Sequence, residues 1–412
     1  MKYPRRSLAA MLLSAPALAQ GRPRVVVIGG GFGGASCARA LQGLGIGVTL
    51  VEPHATYAAC PFSNLVIAGL RPMVAQLFGY DALRAQGIRV VQQAAAGVDA
   101  TSRRVTLADG AVLPYDRLVL SPGVSLNFEA LPGYGEAATE TLPHAWHAGA
   151  QTELLRRQLV AMENGGTVIM TIPPNPYRCP PGPYERASLI AHYLKQAKPR
   201  SKLIVLDAKD VFSKQRLFES AWAALYPGLL EYVPLSMGGR VTAVKAGERS
   251  VVTDFGDHAG SVVNVIPPQQ AGAIARLAGA ADRSGWCPID PASFESRLLP
   301  GVHVIGDAAI AGAMPKSAFA ANAQARVCAA AIAALLRGAP VHPPKLLNTC
   351  YSLVAPGYGI SVAGVYQPAN DLLSDVPGAG GTSPLEAPAA VREAEALYAE
   401  DWFHTVTADA FG

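Results

Sequence analysis

Charge is scarce in this 412-residue chain: Asp, Glu, Lys and Arg make up 16% of it, against an ordinary share of roughly 25%. With 50% apolar residues the chain has ample material for buried cores, which excludes disorder for most of it. A basic run is absent beyond the first few residues. The 34 Lys and Arg nearly balance the 30 Asp and Glu, and three of the cations, Lys2, Arg5 and Arg6, fall in an N-terminal leader, so no nucleic-acid footprint is expected. No apolar stretch reaches the ~18 residues that span a bilayer, and stable membrane insertion is not expected either. None of the six cysteines forms a C-x-x-C pair or a C-x-x-C-H haem attachment. A zinc knuckle and a c-type haem within this chain are thereby excluded, and no metal site is expected. The length calls for two or three domains.

What is present begins with MKYPRRSLAAMLLSAPALAQ. A basic start, an apolar stretch from Leu8 to Leu18 and the small-residue series Ala17-Leu18-Ala19 predict a signal peptide over 1–20 and a periplasmic destination. The pair Arg5-Arg6 suggests the twin-arginine route, which carries proteins already folded around their cofactors. Residues 24–52 form one clear unit. Arg24 to Ile28 reads as a buried parallel strand, Ala35 to Leu44 as a helix of small residues, and Val48 to Val51 as a second strand ending at Glu52. Between the first strand and the helix lies G-x-G-x-x-G, with Gly29, Gly31 and Gly34 in the glycine places. Such a turn lets a pyrophosphate approach helix N–H groups, and Glu52 stands where a carboxylate accepts hydrogen bonds from a ribose.

A second signature lies far downstream. The apolar run from Gly301 ends in Gly306-Asp307 and precedes an Ala-rich segment over 317–336. A strand ending in Gly-Asp behind such a start resembles the two-dinucleotide-domain flavoprotein disulfide reductases over almost the whole chain. That resemblance implies an α/β protein with two Rossmann-like domains, glutathione-reductase-like, and a C-terminal α+β interface domain. The FAD domain is expected over 21–140 and 265–340, a nicotinamide-type domain over 141–264 and the C-terminal domain over 341–412. It also implies that the Asp307 carboxylate holds a ribityl hydroxyl of FAD; the plainer alternative for Asp307 is a helix N-cap. Where the second domain should carry its own glycine turn, the sequence reads Pro173 to Glu185 with five prolines between Pro173 and Pro181 and one more at Pro183. Proline locks φ and removes the backbone donor, so this loop cannot wrap a pyrophosphate in amides. The nicotinamide site is expected to be degenerate, with electrons entering from another source.

Three cysteines have distinctive settings: Cys60 in Ala59-Cys60-Pro61-Phe62, Cys179 in the proline loop, and Cys350 in Asn348-Thr349-Cys350-Tyr351. Together, and with the ending Asp401-Trp402-Phe403 … Ala410-Phe411-Gly412, they resemble the flavoprotein subunit of flavocytochrome c sulfide dehydrogenase. The resemblance implies FAD bound covalently through a thioether to Cys60, and a redox-active disulfide between Cys179 and Cys350 beside the flavin. Sulfide has little surface to grip, so a reactive electrophile must capture it, and a disulfide is such an electrophile. A flavin can then take an electron pair and release it singly to a haem, here on a separate c-type cytochrome subunit. The alternatives are a structural Cys179–Cys350 staple, a free buried Cys60, a non-enzymatic sulfur-binding subunit, and a sulfide:quinone oxidoreductase acting at a membrane. Glu185, near the start of a helix, could accept the proton of hydrogen sulfide or simply answer the helix dipole. Lys316 could place positive charge near flavin N1 and O2 or lie on the surface. Cys37, Cys287 and Cys328 read as small core residues, and His144 and His147 as solvated histidines on a linker.

Overall fold

Residues 23–412 are described by the structure, a computed structural model; the expected leader lies outside the described residues. The first sheet is wholly parallel. β1 (Arg24–Ile28) is central, flanked on one side by β2 (Gly47–Val51) and then β3 (Arg89–Val91), and on the other by β4 (Arg117–Leu120) and then β9 (Val302–Val304). Val25, Val26 and Val27 are buried, as a strand covered on both faces requires. Helix α1 (Phe32–Gly43) leaves the glycine turn and packs against α5 (Ala318–Leu336). The third glycine sets how close α1 comes to β1: a Cβ on Gly34 would stand 1.8 Å from the Gly29 carbonyl oxygen. Gly34→Ala is therefore expected to force α1 off the sheet and to cost about 3 kcal/mol or more, measurable as a lowered urea midpoint.

The second sheet is also parallel and runs β7-β6-β5-β8. Its strands are β5 (Thr167–Ile172), β6 (Lys202–Asp207), β7 (Leu230–Val233) and β8 (Val262–Val265). Helix α3 (Gly182–Ala197) connects β5 to β6, and α4 (Gln215–Leu225) connects β6 to β7. Besides several two- and three-stranded sheets, the C-terminal part forms an antiparallel sheet of β10 (Leu346–Ala355), β11 (Tyr358–Ala369) and β12 (Leu372–Asp375), followed by helix α6 (Ala389–Phe411). The last turn of α6 is driven into the first domain. Phe411 stacks on Tyr57 and Phe78 at 5.4 and 5.2 Å, and Asp409 meets Arg326 at 2.7 Å.

One sequence expectation is corrected here. Helix α5 is long and apolar enough, by length and composition alone, to cross a membrane. It escapes a scan for continuous apolar runs because Asn322, Gln324 and Arg326 interrupt it. In the fold its alanines let it lie closely on α1 and β10, and Ala325, Cys328, Ala329 and Ile332 are fully buried.

Candidate functional site

A cavity of about 570 Å³ opens where the C-terminal ends of the first sheet face the start of α3 and strand β10. The glycine turn forms one end of it. Gly29 has a left-handed φ of +99°, and its amide is tied to the Val51 carbonyl at 2.9 Å. Glu52 accepts from the Gly30 amide at 2.8 Å and from the His54 amide at 3.0 Å, which holds the turn open toward the cavity. Deeper in, Gly306 takes φ +70° and donates to Gln324 Oε1 at 2.7 Å. Asp307 follows it into the lining, and its buried Oδ1 has no partner. Asp307 does not cap α5; Ser317 does, accepting from the Ala320 amide at 3.0 Å. An orphaned buried carboxylate oxygen requires a donor, and a ribityl hydroxyl supplies one. Glycine turn, Glu52 and Asp307 therefore fit FAD.

Cys60, Cys179 and Cys350 all line this cavity, and all three are free thiols. Cys60 lies just before α2 (Ser63–Ala68), its Sγ 3.7 Å from the Trp146 carbonyl. Cys179 adopts φ +56° at the end of the proline loop. Its amide donates to the Lys316 carbonyl at 2.7 Å, and its carbonyl accepts from Gly182 at 2.8 Å, so the loop is sewn to both the 306–317 segment and the start of α3. Cys350 enters from β10, with Asn348 Nδ2 at 3.2 Å from its Sγ. Burial pushes both thiols upward. For Cys179 the neighbouring Cys350 and Glu185 push the same way, whereas for Cys350 the Asn348 hydrogen bond and the Lys214 ammonium pull back.

Glu185 stands in the first turn of α3 and bridges three elements. It accepts from Asn64 Nδ2 of α2 at 2.7 Å and from the Leu353 amide of β10 at 2.9 Å. Burial raises its pKa against those two bonds, so the carboxyl is poised to take a proton. Lys316 is half-buried and lies outside the cavity lining. Its Nζ donates to the carbonyls of Asp307 and Ala309 at 2.7 Å each and lies 4.0 Å above the Trp286 ring. It braces the loop that carries Asp307. The cations in the lining are buried Arg186, which donates to the His144 and Ala145 carbonyls, and half-buried Arg178, which donates to the Trp146 carbonyl. The sequence signal for Arg178 was adjacency to Cys179.

His144 is not solvated, and burial takes its pKa down to about 3, whereas His147 is exposed at the cavity lining. His144 Nδ1 accepts from the Trp146 amide at 2.9 Å, and His147 Nε2 is 3.2 Å from the Val124 carbonyl. Among the described residues no cluster could hold a metal ion. Cys37, Cys287 and Cys328 are fully buried, the first and last between α1 and α5.

In the second domain the end of β6 is filled from within. Asp207, at the end of β6 where a carboxylate would meet a ribose, is fully buried. It accepts from Tyr184 at 2.6 Å, Tyr232 at 3.0 Å and Lys209 at 2.6 Å. Tyr184 in turn stacks on Phe212 with centroids 3.6 Å apart.

Comparison with known proteins places three family models along the chain. "Sulfide dehydrogenase [flavocytochrome c] flavoprotein chain, central" matches residues 152–267, "Flavocytochrome c sulphide dehydrogenase, flavin-binding" matches 342–411, and "Pyridine nucleotide-disulphide oxidoreductase" matches 23–165. A flavocytochrome c sulfide dehydrogenase flavoprotein chain of Chlorobaculum thiosulfatiphilum is 60% identical over 48 residues, which are 11% of this chain and 100% of that sequence. Mouse mitochondrial sulfide:quinone oxidoreductase is 21% identical over 294 residues, 69% of this chain; the match spans 65% of the mouse protein's length. The sulfide:quinone oxidoreductase structure from Aquifex aeolicus superposes with a TM-score of 0.73 at 18% identity, covering 94% of this chain and 92% of that one. The shared architecture is that of the two-dinucleotide-domain flavoprotein disulfide reductases.

Proposed function

The chain belongs to the family of flavocytochrome c sulfide dehydrogenase flavoprotein chains, and from that membership we propose that it is an exported FAD subunit that oxidises sulfide and delivers the electrons to a c-type cytochrome subunit. One observation carries this reading: Cys179 and Cys350, from distant parts of the chain, line the same cavity as the glycine turn and the orphaned Asp307. Gly29 and Gly31 would cradle the pyrophosphate while Gly34, outside the cavity lining, seats α1 against the turn; Glu52 would take the ribose, Asp307 a ribityl hydroxyl, and Cys60 would supply the thioether. Bound there, the flavin accepts an electron pair and returns it one electron at a time.

The rest is done by the chain's own groups. In the oxidised protein Cys179 and Cys350 form a disulfide, and sulfide opens it to leave a persulfide on one cysteine and a thiolate on the other. Glu185, already raised by burial and bridging α2, α3 and β10, takes the proton of hydrogen sulfide. The proline loop and the tyrosine-filled end of β6 exclude a nicotinamide, so the oxidising equivalents leave by way of the partner. NADH and NADPH are accordingly expected to leave the flavin band unchanged over minutes, while sulfide bleaches it. Bleaching by NADH within seconds, followed by stopped-flow absorbance, would revive a pyridine-nucleotide reductase.

The mouse and Aquifex relatives favour a second reading, in which quinone replaces the cytochrome. Helix α6 argues against a bilayer-facing C-terminus, because Phe403, Val406, Ala410 and Phe411 turn inward and Glu393, Glu400 and Asp401 lie along the same helix. Purification with and without detergent separates the two. A co-purifying haem-stained subunit supports the cytochrome, and flotation of the protein with anionic liposomes supports quinone.

A further inference from the structure

We propose that Asn348, oriented by Ser317, makes Cys350 rather than Cys179 the sulfur that leaves as a thiolate, and so sets the direction in which sulfide opens the cysteine pair. The inference rests on the sulfide-oxidising reading above and adds two residues to it.

The argument starts at the N-terminus of α5. Ser317 is extended, and its Oγ accepts the Ala320 amide at 3.0 Å as the helix cap. A hydroxyl has a single proton, and with the cap occupying an Oγ lone pair that proton goes to the other neighbour, Asn348 Oδ1, at 2.6 Å. The amide of Asn348 is thereby fixed. Its oxygen receives from Ser317, and its Nδ2 can only donate, 3.2 Å from Cys350 Sγ. Asn348 and Cys350 are two residues apart on β10 and share a face, and all three side chains are buried. A donor held on sulfur favours the charged form of that sulfur over the neutral one.

The charges around the pair are shared between the two sulfurs, so the direction rests on the Asn348 donor. Lys214, held at φ +63° at the start of α4, donates to the Cys350 carbonyl and to Ser352 Oγ at 2.8 Å each and favours a negative charge on either sulfur. Tyr366 of β11 and Glu395 of α6 lie farther out on the Cys350 side. Around Cys179, Glu185 of α3 acts against a negative charge and Arg178 and Arg186 favour it. When hydrosulfide attacks, its sulfur bonds to Cys179 Sγ and the Cys179–Cys350 bond breaks. Cys350 Sγ departs with the bonding pair as a thiolate, and the hydrosulfide proton stays on the terminal sulfur of the Cys179 persulfide. Attack in the opposite sense would release a thiolate on Cys179, which lacks the side-chain donor that Asn348 places on Cys350.

Asn348 touches the reacting sulfur and is a catalytic residue; Ser317 is a positioning residue. The test uses the full flavin-bearing chain. Alkylation of the reduced protein by iodoacetamide is followed against pH by peptide mass mapping, together with the position of the persulfide after one equivalent of sulfide. In the parent protein Cys350 is alkylated at lower pH than Cys179, and the persulfide is on Cys179. Asn348→Leu moves the Cys350 profile up by about one pH unit. Ser317→Gly is tolerated at the helix cap, removes the proton donor without adding a charge and does the same, whereas Ser317→Thr behaves like the parent. Should Asn348→Leu not fold, the Ser317 pair decides alone. An unmoved Cys350 profile in the folded variants, or a persulfide on Cys350 in the parent, overturns the proposal. A parent protein that forms no persulfide on either cysteine overturns the sulfide reading instead, and the alkylation profiles still judge the relay.

Discussion

Replacing Cys179 or Cys350 with serine is expected to abolish sulfide-dependent bleaching of the flavin, by on the order of 10³-fold or more, in a protein that remains folded and yellow. The size follows from the chemistry. Sulfide offers no surface from which binding energy could be drawn, so in the proposed mechanism capture rests on one electrophilic S–S bond, and either substitution would remove that bond altogether. The fold tolerates the change: Ser is nearly the same size as Cys, and the backbone that sets φ +56° at residue 179 is held by the Lys316 carbonyl and the Gly182 amide rather than by the sulfur. A structural staple would behave in the opposite way. Its loss would lower stability by about 3 kcal/mol and leave turnover intact. Stopped-flow absorbance of each variant, read beside its thermal unfolding, distinguishes the two roles, and retained turnover in both variants would reduce the pair to a staple.

The parts of the site that could be read from the sequence are those where the backbone itself does the work. Gly29, Gly31 and Gly34 announce a turn because a side chain at Gly34 would collide with the Gly29 carbonyl, and a proline loop announces missing amides wherever it is folded. Groups whose role depends on a partner far along the chain were not legible. His144 looks like a solvent-facing linker histidine until Trp146 and Arg186 are packed around it. Lys316 looks free until the carbonyls of Asp307 and Ala309 close on its ammonium. Asn348 is an ordinary strand residue until the N-terminus of α5 delivers Ser317 to its oxygen. In each case short-range pattern reports the element, and only the packing between elements assigns the side chain.

Cys60→Ala is expected to change flavin retention after acid precipitation from nearly complete to nearly none. Acid unfolding removes every hydrogen bond and packing contact that holds FAD in the native cavity, so what stays with the pellet reports the covalent bond alone. In the parent the tether at Cys60 survives, and a peptide containing Ala59-Cys60-Pro61 carries the mass of the flavin. In Cys60→Ala the native protein still takes up FAD, because the turn at Gly29 and Gly31, Glu52 and the Asp307 carboxylate are untouched. The yellow colour of the native variant therefore serves as the control for folding. Cys60 fits this role by position. Its loop is pinned from behind by Gln76, which donates to the Ala59 carbonyl at 2.8 Å, and its thiol is left on the cavity side near Trp146. On the proposed reading of an exported subunit, a tether would matter beyond affinity, since a flavin lost outside the cytoplasm has no supply to replace it. Release of free flavin from the acid-treated parent protein would remove the covalent claim while leaving the Cys179–Cys350 chemistry to stand on its own test.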